Sequence, residues 1–194
     1  MDSDVFDVHC IHRQVGSTGL VIFERDDILL RHKPQIEDHT LSDIDADFVA
    51  MLHDMRELDV RFGFISHHST PPFDQRVGIA SATLTRLLDD LLKASGALPD
   101  FWIDAACALD LRQRQHPHSK SELDLILSLT GWREADLNKT VVVRKAEAPL
   151  VKPNKSGLME IFYPGLNAVA PSDASRRATV GWLKTKIKHA LDLE

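Results

Sequence analysis

Glu24 and Asp26 stand two residues apart, directly after the apolar run Leu20-Val21-Ile22-Phe23. Carboxylates delivered by a buried strand suit phosphoryl transfer, one as nucleophile or base and the other as acid, or a metal-assisted version of the same reaction. Arg25, between them, adds a fixed positive charge that favours an anion. Other reactive groups follow other apolar runs. Ser66, His67 and His68 follow residues 60–65, Cys107 closes residues 101–107, and Arg144 and Lys145 follow residues 140–143. Each group has a plainer reading, because acids after a strand are commonly loop residues and lone serines and lysines are commonly solvated. The chemistry therefore depends on a fold that brings these run ends together.

Hydrophobic periodicity supplies the elements that would do so. Strands are expected at 20–23, 60–65, 101–107, 140–143 and 158–162, the fourth rich in β-branched residues. Helices are expected at 45–58, through Phe48, Leu52, Met55 and Leu58 with Asp45 as cap, and at 81–95, where Leu84, Leu87, Leu88, Leu91 and Leu92 share a stripe and Gly96 stops the run. Two more helices are expected at 121–130 and 172–193, the last through Val180, Leu183, Ile187 and Leu191. Residues 70–78 and 109–119 read as loops, and residues 1–19 as an extension with a short edge strand around Val5–Val8. Alternating strands and helices predict one α/β domain, a Rossmann-like three-layer sandwich with a mainly parallel sheet and no large cap domain. Such sheets keep their sites at strand C-termini.

Composition narrows the class. The chain has 194 residues, enough for one sizeable core, and a net charge of −6, which argues against a general nucleic-acid surface. Two distant cysteines, Cys10 and Cys107, do not make a disulfide framework and point to a reducing compartment. No apolar stretch approaches the ~20 residues of a membrane span, and the acidic start lacks a signal peptide's basic residues. A cytoplasmic protein with no membrane partner is the expectation.

At the strand ends the sequence resembles the haloacid dehalogenase (HAD) superfamily, and more narrowly its small-cap branch of histidinol-phosphate and heptose-bisphosphate phosphatases. The resemblance runs from about residue 20 to about residue 165. Glu24-Arg25-Asp26-Asp27 matches the family's Asp-Arg-Asp-Gly, Ser66-His67-His68 its Ser/Thr-Asn-Gln, and His118-Ser119-Lys120-Ser121 its Cys-Arg-Lys-Pro. The fourth signature, Gly-Asp followed four residues later by another acid, falls on Arg144-Lys145 and Pro149. The resemblance implies that Glu24, Asp26, Ser66 and Lys120 hold the catalytic positions, with Arg25, His67 and Lys145 facing the ligand.

It also exposes departures. Glu24 adds a methylene to the family's nucleophile, and displacing an in-line attack by ~1 Å costs about a hundredfold. Magnesium, the family's cofactor, requires oxygen ligands, and Lys145 and Pro149 replace the acids that face it. An ammonium at that place is expected to pair with Glu24 or Asp26 and substitute for the ion. Some members carry a zinc loop whose positions fall on Cys107, Leu109, His116 and His118. Cys107, His116 and His118 are competent zinc ligands, and Asp110 or water would complete the shell; the alternative is a strand-end cysteine and two surface histidines. The implied function is a phosphatase-like protein with a degenerate site, without efficient magnesium-dependent hydrolysis, that binds a phosphorylated or anionic small molecule or a protein partner. The alternatives are an active phosphohydrolase using Glu24 and Asp26, with magnesium, and an interaction module whose pocket is closed by a salt bridge.

Overall fold

The computed structural model describes residues 10–13, 15–26, 28–30, 40, 43–66, 75–104, 139–146, 159–164 and 173–193. The apolar runs form β2 (Thr18–Glu24), β3 (Val60–Ser66), β4 (Phe101–Asp104), β5 (Thr140–Lys145) and β6 (Met159–Tyr163), with a short β1 (Cys10–His12) before them. The sheet order is β1-β4-β3-β2-β5-β6. Strands β2 to β6 are parallel, and β1 closes one edge antiparallel to β4. Phe23 on the central β2 lies opposite Phe64 of β3 and Val143 of β5. This is a Rossmann-like α/β sheet, as the alternation of elements predicts.

Among the described residues three helices, α1 (Ala46–Glu57), α2 (Gln75–Ala94) and α3 (Asp173–Ala190), share one core cluster with the sheet face that carries Phe23, Phe64 and Trp102. Asp45 caps α1 by accepting a 2.9 Å hydrogen bond from the Phe48 amide, which satisfies one of the free N–H groups of the first turn. Phe48, Met51, Leu52 and Met55 turn inward. An aromatic row runs across the sheet beneath the helices, with centroids 5.4 Å apart for Phe48 and Phe23, 5.6 Å for Phe23 and Phe64, and 4.6 Å for Phe64 and Trp102. Each such ring contributes roughly 1.5–3 kcal/mol through burial. Trp102 donates its indole N–H to Asp89 of α2 at 2.7 Å, and Arg13 grips the same carboxylate. Val180, Leu183, Ile187 and Leu191 seat α3, while Arg177 and Lys184 pair with Asp47 and Asp54 of α1. On the opposite face Leu20, Ile22, Ile65, Phe101, Ile103 and Val142 are buried as well, as a parallel sheet requires.

Some boundaries differ from the sequence expectation. The edge strand is Cys10–His12; residues 5–8 lie outside the described set. Helix α2 starts at Gln75 and runs through Gly78, which the sequence reading took as loop. A helical glycine costs only about 1 kcal/mol, which packing of the remaining turns offsets. The stop is as expected: Gly96 adopts φ +71°, and Ala97 N–H bonds back to the Leu92 carbonyl. The helix expected at 121–130 and the loop at 109–119 lie outside the described residues. Among the described residues no helix is long and apolar enough to cross a membrane.

The strand order places one geometric feature. From β2 the chain moves outward to β3 and β4, then returns to β5 on the other side of β2. Connections leaving β2 and β5 diverge, and this switch point is where open parallel sheets form a crevice at their strand C-termini.

Candidate functional site

The residues at the switch point are Glu24, which ends β2, and Arg144 and Lys145, which end β5. Parallel pairing holds these ends side by side: Phe23 is opposite Val143, so Glu24 and Arg144 are the next residues of their strands. Both oxygens of Glu24 are engaged. Oε1 accepts from Arg144 Nη1 at 3.0 Å, and Oε2 accepts from the Lys145 backbone N–H at 2.9 Å. Arg144 also reaches the other way, donating from Nε to Glu160 Oε1 of β6 at 3.3 Å. The cation recorded on Glu24 is Arg144, whereas the sequence leads one to expect Lys145 on Glu24 or Asp26; the contact recorded between Lys145 and Glu24 is through the Lys145 main chain. The reason is alternation. Lys145 is in register with Tyr163, whose ring meets Phe48 on the helix side, so one step along the strand changes faces.

Arg25 departs from its expected place. Its amide donates to the Ile65 carbonyl at 2.7 Å, tying the turn after β2 to β3. Its side chain is 1% exposed and lies against α2, whereas the resemblance implies a place facing the ligand. Nη1 donates to Thr85 Oγ1 at 2.8 Å and to Ser81 Oγ at 3.3 Å, and Nε donates to Asp26 Oδ1 at 2.9 Å. Asp26 therefore has one oxygen spent on Arg25. Its other oxygen, Oδ2, is buried without a hydrogen-bond partner among the described residues. Ser66 is buried at the end of β3, one residue beyond the partner of Glu24, and lies opposite Asp104 of β4. At the end of β6, Tyr163 is raised to about 12, mainly by burial and secondarily by the charge of Asp45.

Glu24, Arg144 and Lys145 are thus brought together, with Asp26 and Ser66 at or just past neighbouring strand ends. His67, Lys120, Cys107, His116 and His118 lie outside the described residues. Glu160 escaped the sequence reading; its signal was a single acid inside the otherwise apolar strand Met159–Tyr163. His53, Asp54 and Glu57 bring ligand atoms within 4.8 Å of one another on α1. That group sits toward the helix end nearer the strand N-termini, and Lys184 already pairs with Asp54.

The described residues at the switch point do not by themselves fit magnesium. The ion needs several oxygen ligands in near-octahedral array. Each oxygen of Glu24 already accepts from a nitrogen donor, which places positive charge and N–H groups where an ion would sit, and Lys145 stands where the resemblance would put an acid. Among the described residues Asp26 Oδ2 is the buried carboxylate oxygen without a hydrogen-bond partner, and one such oxygen does not make a magnesium shell.

No protein-family model matches the chain, and no curated protein matches it. Among solved structures, the chain is similar to a D,D-heptose 1.7-bisphosphate phosphatase from B. bronchiseptica complexed with magnesium and phosphate. The identity is 10%, the match covers 66% of this chain and 70% of that one, and the TM-score is 0.46. A likeness at that level carries no inference about chemistry; the fold assignment stands on the strand order itself.

Proposed function

We propose that this chain is a HAD-like, phosphatase-related protein that has lost efficient magnesium-dependent hydrolysis and acts by binding an anionic ligand or a protein partner. The observation that supports this most is the state of Glu24, whose two oxygens are held by Arg144 and by the Lys145 amide. A carboxylate nucleophile needs a lone pair free and aimed at phosphorus. Phosphoryl transfer depends on charge neutralisation at the transferring group, and here the neutralising charge is spent internally. A second reading, an active phosphohydrolase, draws on one observation: Asp26 Oδ2, though buried, has no hydrogen-bond partner among the described residues, so its lone pairs are not committed.

The test is incubation with para-nitrophenyl phosphate and a panel of sugar phosphates, with and without magnesium. The proposal expects no turnover above buffer. Magnesium-dependent turnover abolished by Asp26→Ala overturns it in favour of the hydrolase. Thermal stabilisation by a phosphorylated compound without turnover identifies an anionic ligand; no stabilisation leaves the protein partner.

A further inference from the structure

We infer that the Arg144 guanidinium is a tethered counter-ion that stands where a divalent cation would bridge the carboxylates of Glu24 and Glu160, and that it keeps such ions out of the crevice. This rests on the loss of magnesium-dependent chemistry proposed above and adds the residue responsible and the partner it serves.

β2, β5 and β6 are adjacent and parallel, so Glu24, Arg144 and Glu160 are contributed by three neighbouring strands, with the cation on the middle one. Glu160 lies opposite Val142, two residues before Arg144, and so shares its face. The side chains of Glu24 and Glu160 are 21% and 18% exposed, and that of Arg144 is 31% exposed. Two like charges this far withdrawn from water destabilise each other unless a cation lies between them. Arg144 does so with separate nitrogens, Nη1 at 3.0 Å from Glu24 and Nε at 3.3 Å from Glu160.

A guanidinium suits this role better than an ammonium. It stays charged at all physiological pH values, and its planar fork serves two acceptors in fixed directions. The Lys145 amide holds the second oxygen of Glu24, so the carboxylate remains oriented whatever side chain occupies position 144. One guanidinium against two carboxylates leaves an excess negative charge within the triad, and a divalent ion would cancel it. Removing Arg144 should therefore turn a pair of oriented carboxylates toward metal ions.

The experiment compares thermal unfolding of the full chain in magnesium, manganese or calcium at millimolar concentration against potassium at equal ionic strength. Wild type and R144K are expected to ignore the divalent ions. R144Q is expected to melt earlier and to recover part of the loss when a divalent ion is added, while E24Q/R144Q should lose that recovery. An R144Q chain that does not respond to the ions, or does not fold with or without them, overturns the inference and leaves the proposed function standing. A divalent response in R144K, or one that persists in E24Q/R144Q, also overturns it. Stabilisation of the wild type by magnesium overturns both.

Discussion

Asp100 Oδ2 accepts hydrogen bonds from Arg56 Nη2 at 2.9 Å and from the Phe62 amide at 3.0 Å, inside the protein. Its other oxygen accepts from the amides of Val15 and Gly16 at 2.8 and 2.9 Å. One fully buried carboxylate thereby joins the segment before β2, the end of α1, β3 and the start of β4. Arg56 also lies 4.4 Å from the centroid of the Phe62 ring, which adds a cation–π contact to the pairing. Removing one partner of a buried ion pair leaves the other charge uncompensated. Asp100→Ala is expected to lower stability by about 3–5 kcal/mol, read from urea unfolding. A loss below about 1 kcal/mol would place this pair with exposed ones.

Tyr163 gives a pH-dependent prediction. It is the only tyrosine, so tyrosinate absorbance reports it alone. Burial holds the folded phenol near 12, whereas the unfolded chain ionises at about 10. The folded state therefore keeps a proton that the unfolded state releases, and stability must fall as pH rises between those values. Below about pH 10 both states are protonated and this contribution is constant. The difference in unfolding free energy between wild type and Y163F should be flat below pH 10 and shrink above it. A tyrosinate signal that appears in the folded protein near pH 10 contradicts the assignment.

The elements were legible because their signals are local. The β-branched run at β5 and the three- and four-residue steps of Phe48, Leu52 and Met55 follow directly from residue type and period. Placing Glu24 and Lys145 at neighbouring strand ends was also within reach, since parallel order predicts it. What the sequence withheld is which side chain meets which. That Arg144 lies on the face of Glu24 and Glu160 follows from strand register and alternation, where one residue changes the face. The same holds for Arg25: its charge suggested a ligand, but the turn after β2 directs it beneath α2 to Ser81 and Thr85. Glu160 stands out only as a lone acid in an apolar strand, and its partner cannot be read from sequence because it comes from another strand.

Gly63 sits in β3 directly opposite Phe101 of β4. A Cβ built there would stand 2.5 Å from the Phe101 ring and from its backbone oxygen. A ring can turn, but a backbone oxygen in a paired strand cannot retreat without loosening the sheet. Gly63→Ala is expected to cost about 1–3 kcal/mol through overpacking, although alanine has no backbone disadvantage relative to glycine in a strand. Chemical denaturation at constant m-value measures it. A neutral or stabilising substitution would show that β3 and β4 are spaced more widely than described.

Arg25 separates a structural role from a ligand-binding one. Its guanidinium serves Asp26, Ser81 and Thr85 from a buried position, and a single ammonium cannot reproduce that spread of donors. Arg25→Lys should remove at least one hydrogen bond of a charged donor, about 1.5–3 kcal/mol, and lower the melting temperature. Any thermal stabilisation by inorganic phosphate should be the same in R25K as in wild type, because the side chain lies against α2. Scanning both proteins against a phosphate series reads the two effects together. An unchanged melting temperature with a weakened phosphate response would return Arg25 to the ligand side and reverse the reading of this turn.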